Sequence, residues 1–248
     1  MEILSVITVV YNDAQNIEKT INSVLSQTYK NIEYIIIDGA STDGTKEIIK
    51  KYSDKISQFV SEPDKGLYDA MNKGLRMATG DYVCFLNSGD LFYENTTIEK
   101  IFQSAPNKNI DIFYGDAVIT DTNGKIKGHR RHRPPKHLNW ISFKDGMLVS
   151  HQAFIPRLSI TEPYDLKFRF SSDFDWCIKA MKKAKHIQNT KIVIIKFMDD
   201  GLTKKNMFKS LKERFIIMKK NYGLSTALWV NFRNSFRLLF FRLKHKWF

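Results

Sequence analysis

The first 90 residues alternate between continuously apolar runs and segments with helical spacing, and this alternation constrains the fold more than any other feature. Residues 3–11, 32–38, 56–62 and 81–87 read ILSVITVVY, IEYIIID, ISQFVSE and DYVCFLN. Runs of this kind are typical of strands that are buried on both faces. Between them, apolar residues recur three or four positions apart, as in amphipathic helices: Ile17, Ile21, Val24 and Leu25, and then Leu67, Ala70, Met71, Leu75 and Ala78. The β-α-β-α-β-α-β order predicts an α/β fold with a mostly parallel sheet, right-handed crossovers and helices on both faces.

The alternation becomes irregular after residue 90. We predict three further strands, over 110–121, 150–156 and 191–197. Residues 124–146 are expected to form a basic and aromatic loop, and residues 171–184 a helix capped by Ser171 or Ser172. A chain of 248 residues suits one sizeable α/β domain with an appendage.

The net charge of +13 is concentrated near the C-terminus. Residues 204–248 contain twelve Lys or Arg and one acid, Glu213, so residues 1–203 are close to neutral. We therefore predict a main domain over 1–203 and a basic helical tail over 204–248. Apolar side chains in the tail fall at helical spacing between basic ones: Leu228, Phe232, Phe236, Leu239, Phe240, Leu243 and Trp247.

A basic amphipathic helix with aromatic side chains suits an anionic membrane surface, and we expect residues 224–248 to bind one. The alternatives are packing of the apolar face on the chain's own domain and binding of nucleic acid. Nucleic acid is the least favoured partner because the main domain is nearly neutral. The two cysteines, Cys84 and Cys177, lie in apolar surroundings and form no CxxC pair. We predict a cytoplasmic protein for three reasons. The cysteines suggest no disulfide framework. The N-terminal residues lack the basic segment and the cleavage site of a secretory signal, and no apolar run is long enough to span a membrane.

Three polar clusters follow predicted strands, namely residues 9–13 (VVYND), 38–44 (DGASTDG) and 87–90 (NSGD). Ligands bind at the carboxyl ends of the strands in open parallel sheets, so all three clusters would line one crevice. No GxGxxG follows the first strand, and no Walker loop is present. Both a dinucleotide fingerprint and NTP hydrolysis are therefore disfavoured.

These motifs together resemble glycosyltransferase family 2. The matching segments are SVITVVYN at 5–12, IIIDGASTDGT at 35–45, EPDKGLYDAMNKGLRMATGDYVCFLNSGD at 62–90, SHQAFI at 150–155 and SSDFDW at 171–176. DKGLYDAMNKG together with LNSGD resembles the branch that builds bacterial capsule, colanic acid and O-antigen polysaccharides. The resemblance implies a GT-A fold, with a mostly parallel central sheet flanked by helices.

The resemblance also implies a nucleotide-sugar site across the strand ends. In the family, the positions of Val10 and Tyr11 hold the base and ribose, the position of Asp38 reads uracil or another base, and Asp64 faces the nucleotide. The other implied contacts with the nucleotide sugar are Asn72, Asn87 and Ser88. Taken alone, Asp38 fits a turn cap at the strand end equally well.

A D-x-D motif usually holds Mn²⁺ or Mg²⁺ on the diphosphate in this family. Here Asn87 and Gly89 occupy the two acid positions, and Asp90 follows one residue later. A cation there would neutralise charge on the leaving diphosphate. The resemblance therefore implies a divalent cation on Asp90, bound more weakly than by two acids.

Asp173 matches the family's catalytic base, which takes the proton of the acceptor hydroxyl. Asp175 is the competing carboxylate, and the two lie about 200° apart around a helix, so only one can face the cleft. We favour Asp173 because it lies in the first turn and matches the family motif. The alternative is that Asp173 only stabilises the helix N-terminus electrostatically. His151, in SHQ, is implied to contact the diphosphate or the acceptor, with a structural role as the alternative.

The sequence thus predicts an inverting glycosyltransferase that uses a nucleotide-diphosphate sugar, with UDP-sugars favoured. Its acceptor would be a lipid-linked or oligosaccharide precursor at the inner face of the bacterial cell membrane. The basic loop at 129–137, HRRHRPPKH, would bind phosphate or lie solvated at the surface. The alternatives are nucleotidyl transfer, which would need acidic pairs for two metals, and a non-catalytic nucleotide-sugar or glycan-binding scaffold.

Overall fold

The computed structural model describes residues 2–104, 109–121, 124–198 and 206–233. The N-terminal half of the chain is built on a parallel sheet. The four strands run in the order β3-β2-β1-β4, and every neighbouring pair is parallel. Each apolar run of the first 90 residues forms one of them: β1 (Leu4–Val10), β2 (Ile32–Asp38), β3 (Gln58–Ser61) and β4 (Tyr82–Phe85). The predicted parallel sheet is therefore confirmed.

Three helices connect these strands: α1 (Ile17–Leu25), α2 (Thr45–Lys50) and α3 (Leu67–Met77). Helix α3 packs directly on the sheet at Gly74, where an added methyl would lie 2.4 Å from Cγ2 of Ile7. Contact this close leaves no room for any side chain larger than glycine. It fixes the second half of α3 against the middle of β1.

The second half forms a mixed sheet in the order β5-β9-β6-β7, with β8 also paired to β6. Strands β6 and β9 are parallel, and the other pairs are antiparallel. A bridge between Tyr82 and Arg157 links the two sheets. The elements are β5 (Leu91–Phe92), α4 (Thr97–Gln103), β6 (Ile112–Thr120), β7 (Ile126–His129), β8 (Phe154–Pro156) and β9 (Ile187–Met198).

Two of the expectations for this half were wrong in detail. The segment 124–146, predicted as a loop, contains β7 and a 3-10 helix at Trp140–Asp145. Strand β7 was missed because its side chains are mostly exposed and basic, and β6 supplies its pairing. The strand predicted over 150–156 begins with a 3-10 turn at His151–Ala153.

Helix α5 (Ser172–Lys183) is held against the sheet by an aromatic cluster. Trp176 stacks on Tyr164 with ring centroids 5.1 Å apart and meets Phe85 and Phe154 edge-on. Trp176 is buried, and aromatic contacts of this geometry add to the stabilisation from buried area. The cluster therefore fixes the start of α5 over the strand ends.

The C-terminal segment packs on this domain through α6 (Met207–Tyr222) and a further helical stretch over 224–233. Ser171 is the N-cap residue of α5, but its hydroxyl lies 2.9 Å from that of Ser210 and does not cap the helix. Tyr222 stacks on Trp140 at 5.4 Å. The buried residues on this face are Ile217, Met218, Ala227 and Val230. The rest of the predicted tail, from 234 onward, lies outside the described residues.

None of the helices in the described part of the chain is long and apolar enough to cross a membrane.

Candidate active site

A cavity of about 1840 Å³ opens at the carboxyl ends of the parallel strands. Residues that follow β1, β2 and β4 line it, together with the starts of α3 and α5 and one face of α6. This is the edge at which α/β sheets bind ligands. Of the residues predicted from sequence, it brings together Val10, Tyr11, Asp64, Asn87, Ser88, His151 and Asp173.

One wall of the cavity is formed by Tyr11, Gly39 and Asp64. Tyr11 is 66% exposed, and an exposed aromatic ring is available for stacking. Asp64 accepts a hydrogen bond from the Gly66 N–H at 2.7 Å. A methyl on Gly39 would lie 2.5 Å from Asp64 Oδ2 and 3.2 Å from Tyr11 Cδ2, so glycine allows these two side chains to meet.

Asp38 lies beneath this wall. Its carboxylate is fully buried and accepts hydrogen bonds from the Ser61 hydroxyl at 2.6 Å and from the Ser41 N–H at 3.1 Å. These contacts are those of a turn cap at the strand end. Because Asp38 is fully buried, a nucleobase could reach its carboxylate only if the residues around it moved.

Asn72 is also buried and is fully engaged in the protein. Its amide donates to the carbonyl of Tyr164 at 2.9 Å and accepts from the Tyr164 N–H at 2.7 Å. This pair of bonds ties α3 to the segment that precedes α5. Asn72 thus positions α3 against this segment, and it is not one of the residues that line the cavity.

The segment after β4 divides between the cavity and the core. Ser88 and Asn87 line the cavity, and Ser88 donates to Asp13 Oδ2 at 2.7 Å. Asn87 Oδ1 is buried and has no hydrogen-bond partner among the described residues. Since a buried carbonyl without a partner is costly, Asn87 is poised to accept a hydrogen bond from a ligand.

Asp90 lies behind the residues that line this opening and is hydrogen-bonded to two of them. It is 4% exposed, and its carboxylate accepts hydrogen bonds from Gln152 Nε2 at 2.9 Å and from the Met198 N–H at 3.2 Å. Burial raises the pKa of Asp90 to about 6.

Across the described residues, no group of three His, Cys, Asp or Glu side chains is placed to hold a metal ion. Divalent cations in proteins usually need several oxygen ligands. The described residues by themselves do not assemble such a ligand set, and we derive no catalytic step through a cation.

Asp173 stands in the cavity wall in the first turn of α5, with its side chain 16% exposed. The Tyr68 hydroxyl donates to Oδ1 at 3.0 Å, and His151 Nδ1 lies 3.4 Å from Oδ2. Burial by itself would raise the pKa of Asp173, but His151, the charge of Arg214 and the Tyr68 hydrogen bond outweigh burial and hold this pKa below its usual range. Asp173 is therefore ionised at neutral pH.

His151 connects Asp173 to the interior of the site. Its Nε2 is buried and has no hydrogen-bond partner among the described residues, and its positive form also favours ionised Asp90. The ring therefore offers one nitrogen to Asp173 and leaves the other for a ligand or a water.

Asp175 faces the opposite side of α5. It is 1% exposed and pairs with Lys179 Nζ at 2.9 Å, with Lys220 Nζ of α6 at 3.8 Å. The helix thus separates the two carboxylates as its geometry requires: Asp173 lies at the cavity and Asp175 at the contact with α6.

Sequence reasoning missed three side chains of the site, Tyr68, Gln152 and Arg214, whereas Arg130 lies in the loop 129–137 for which phosphate binding was one of two hypotheses. Tyr68 carried a usable signal, because it lies in the first turn of a helix that begins at the crevice. Arg214 carried none, because it lies on α6 within a segment whose many cations look alike in sequence.

The architecture is that of a GT-A glycosyltransferase. Residues 1–349 of S. aureus TarS, solved in complex with UDP, superpose with a TM-score of 0.67 at 18% identity, covering 92% of this chain and 69% of that one. A mannosyltransferase from Pyrobaculum calidifontis, in complex with GDP-Man and Mn²⁺, gives a TM-score of 0.57 at 15% identity, covering 92% and 74%. These identities establish the shared fold.

Residues 5–164 match the family model of glycosyl transferase family 2, and the chain belongs to this family. A PGL/p-HBAD biosynthesis glycosyltransferase of Mycobacterium tuberculosis is 29% identical over 71% of this chain and 68% of its own length. An uncharacterized glycosyltransferase of Rickettsia typhi is 26% identical over 85% and 69%. The protein is thus a transferase enzyme.

Proposed function

We propose that this enzyme transfers a sugar from a nucleotide-diphosphate sugar to a hydroxyl group with inversion at the anomeric carbon. The observation that carries the proposal is Asp173, an ionised carboxylate in the cavity wall with Tyr68 and His151 holding it. Solved structures of the same fold contain UDP, UDP-GlcNAc and GDP-Man, which supports a nucleotide sugar as donor.

The proposed chemistry is a single displacement. The acceptor hydroxyl attacks the anomeric carbon, its proton passes to Asp173, and the bond between the sugar and the diphosphate breaks. A protonated Tyr68 is required for its hydrogen bond to Asp173, and burial raises the pKa of Tyr68 well above its usual value. Tyr68 therefore stays a donor and fixes one carboxylate oxygen, which leaves the other near His151.

The acceptor that best suits the chain is a lipid-linked precursor of a bacterial surface polysaccharide, such as a capsule or O-antigen unit. This follows from the motif resemblance and from the basic, apolar C-terminal segment.

Donor turnover tests this function. The full chain would be incubated with UDP-GlcNAc, other UDP-sugars and GDP-Man, with a lipid extract as acceptor and with or without Mn²⁺. We expect release of nucleoside diphosphate with one donor, and NMR of the product should show the inverted anomer. Binding of a donor without any release would instead support the non-catalytic scaffold.

Substituting Gly39 by Ala should weaken nucleotide binding without unfolding the protein. The added methyl would collide with the carboxylate tip of Asp64, 2.5 Å away, and this tip can swing aside at little cost. Displacing Asp64 and Tyr11 would disturb the cavity wall that we expect to contact the nucleobase and ribose of the donor. We expect about a tenfold loss of affinity for the nucleoside diphosphate, as for one lost hydrogen bond.

The measurement is calorimetric titration, with urea unfolding as the test of folding. Gly74→Ala is the contrasting variant, because its methyl would meet Ile7 in the core and should lower the stability of the protein by about 1–3 kcal/mol. Unchanged affinity in Gly39→Ala would remove this wall from the nucleotide site.

We further propose that the C-terminal segment holds the enzyme on the inner face of the cell membrane. In the described residues of 224–233, one side is buried on the domain at Ala227 and Val230, and the other exposes Leu224, Leu228, Trp229 and Phe232. Apolar side chains beside basic ones suit an anionic bilayer surface. The segment thus packs on its own domain and still presents an apolar face.

Liposome sedimentation of the full chain tests this proposal. Wild-type protein should sediment with vesicles that contain anionic phosphatidylglycerol and much less with neutral phosphatidylcholine vesicles. Replacing Leu228, Trp229 and Phe232 together by Ser should lower the partition coefficient by at least about tenfold, given the apolar area removed. Equal sedimentation of wild-type and triple-variant protein would contradict the proposed membrane contact.

A further inference from the structure

Two arginines that family motifs do not predict line the cavity beside Asp173. Arg130 follows β7, and Arg214 lies on α6, outside the segment that matches the family model. The charge of Arg214 contributes to the lowered pKa of Asp173, and Arg130 is also close enough to interact with that carboxylate. Both cations therefore belong to the same end of the cavity as Asp173.

Arg130 is held in place by its neighbours. Asp116 pairs with His129 Nδ1 at 2.8 Å and with Arg133 Nη2 at 2.7 Å, which fixes the chain on both sides of Arg130. Arg130 itself donates to the Met147 carbonyl at 3.4 Å. Within the described residues Arg130 forms no ion pair within 4 Å, and its side chain lines the cavity.

Arg214 is placed in a similar way. Its guanidinium lies over the ring of Phe174, 5.9 Å from the centroid. Among the described residues its Nε is buried without a hydrogen-bond partner, and the side chain has no carboxylate within ion-pair distance. Donors that are buried and unpaired are unfavourable unless a ligand satisfies them.

We propose that Arg130 and Arg214 form a phosphate-binding subsite next to Asp173. A guanidinium presents a planar fork of N–H donors that matches two phosphate oxygens. Lys209 and Arg169 also line the cavity and add to its positive potential. This subsite would place positive charge beside the phosphate group that it binds.

The inference rests on the proposed glycosyl transfer, which offers two sources for the phosphate. The donor contributes a diphosphate whose negative charge grows as its bond to the sugar breaks. A lipid-linked acceptor contributes a diphosphate of its own. Either ligand would need the C-terminal helix α6 to complete the site.

Binding titrations with the full chain separate the two sources. The probes are UDP and GDP against uridine and guanosine for the donor, and farnesyl diphosphate against farnesol for a lipid diphosphate. The variants are Arg130→Gln and Arg214→Gln. Arg131→Gln, on the same loop but exposed, and Lys212→Gln, exposed on α6, are matched controls.

Each test variant should weaken binding of one class of diphosphate by about tenfold or more, as expected for loss of a charge-assisted hydrogen bond. Binding of the matching probe without phosphate should not change, and the controls should behave as wild type. Loss with UDP or GDP assigns the subsite to the donor, and loss with farnesyl diphosphate assigns it to the acceptor. Arg214→Lys keeps the positive charge but lacks the planar guanidinium, so it should lose less affinity for the diphosphate than Arg214→Gln. It replaces Arg214→Gln in the test if that variant does not fold.

The subsite is overturned if folded variants bind all diphosphates as wild type does, or if wild type binds none of them. Failure of the proposed function looks different. In that case wild type would bind a diphosphate through these arginines and yet release no nucleoside diphosphate from any donor.

Discussion

Replacing Asp173 by Asn should reduce the rate of sugar transfer by about 10²- to 10⁴-fold, the range expected for loss of a general base. Asparagine has the same shape and can still accept the hydrogen bond from Tyr68, which is 3.0 Å long in the wild type. It cannot take a proton from the acceptor. The measurement is nucleoside diphosphate release at saturating donor and acceptor, together with the affinity for the nucleoside diphosphate, which should change little.

Asp175→Asn is the matched control for this prediction. Asp175 is buried and pairs with Lys179 at 2.9 Å on the other side of α5. Its substitution removes a buried ion pair and should lower the stability of the protein, while the remaining folded enzyme turns over at the wild-type rate. Retained turnover in Asp173→Asn, or loss only in Asp175→Asn, would move the base away from Asp173.

Replacing Asp90 by Asn should change how the stability of the protein depends on pH. Burial raises the pKa of Asp90 to about 6, whereas an aspartate in an unfolded chain titrates near 4. Between these values the folded state holds the proton more tightly than the unfolded state does, so stability falls as pH rises from about 4 to about 6. A shift of about two units corresponds to ~3 kcal/mol of stability that is present at acid pH and lost at neutral pH.

Asparagine at position 90 does not titrate, so this contribution disappears. The free energy of unfolding of Asp90→Asn, relative to wild type, should increase by ~3 kcal/mol between pH 4 and pH 7.5. Urea unfolding at the two pH values measures it, with the exposed Asp54→Asn as control. Parallel pH profiles for wild type and Asp90→Asn would show that Asp90 titrates normally. Unchanged catalysis and Mn²⁺ dependence in the same variant would also separate Asp90 from any metal role.

The first half of the fold was predictable because each element there is determined by its own sequence. The run at 32–38 is apolar on both faces and can only be a buried strand, and it forms β2 with five consecutive buried residues. The second half was less predictable. Strand β7 has exposed side chains and exists because β6 pairs with it, and the two-residue strand β5 depends on β9 in the same way.

For the candidate site, sequence order placed the polar clusters at the strand ends, but it did not show which side chains are free. Asp38, Asn72 and Asp90 stand in suitable motifs, yet their polar atoms are engaged by Ser61, Tyr164 and Gln152. Hydrogen bonds between residues distant in sequence depend on the packed structure. Motif position alone therefore overstates the number of groups available to a ligand.

The sequence by itself determined the parallel sheet, the crevice at its edge and the separation of Asp173 from Asp175, because strand burial and helix periodicity are local properties. Only the tertiary structure decided what surrounds Asp173. Tyr68 reaches it across 105 positions of the chain, and Arg214 reaches the cavity because α6 packs on α5. These contacts arise when separate elements share one core, and no pattern within any single segment encodes them.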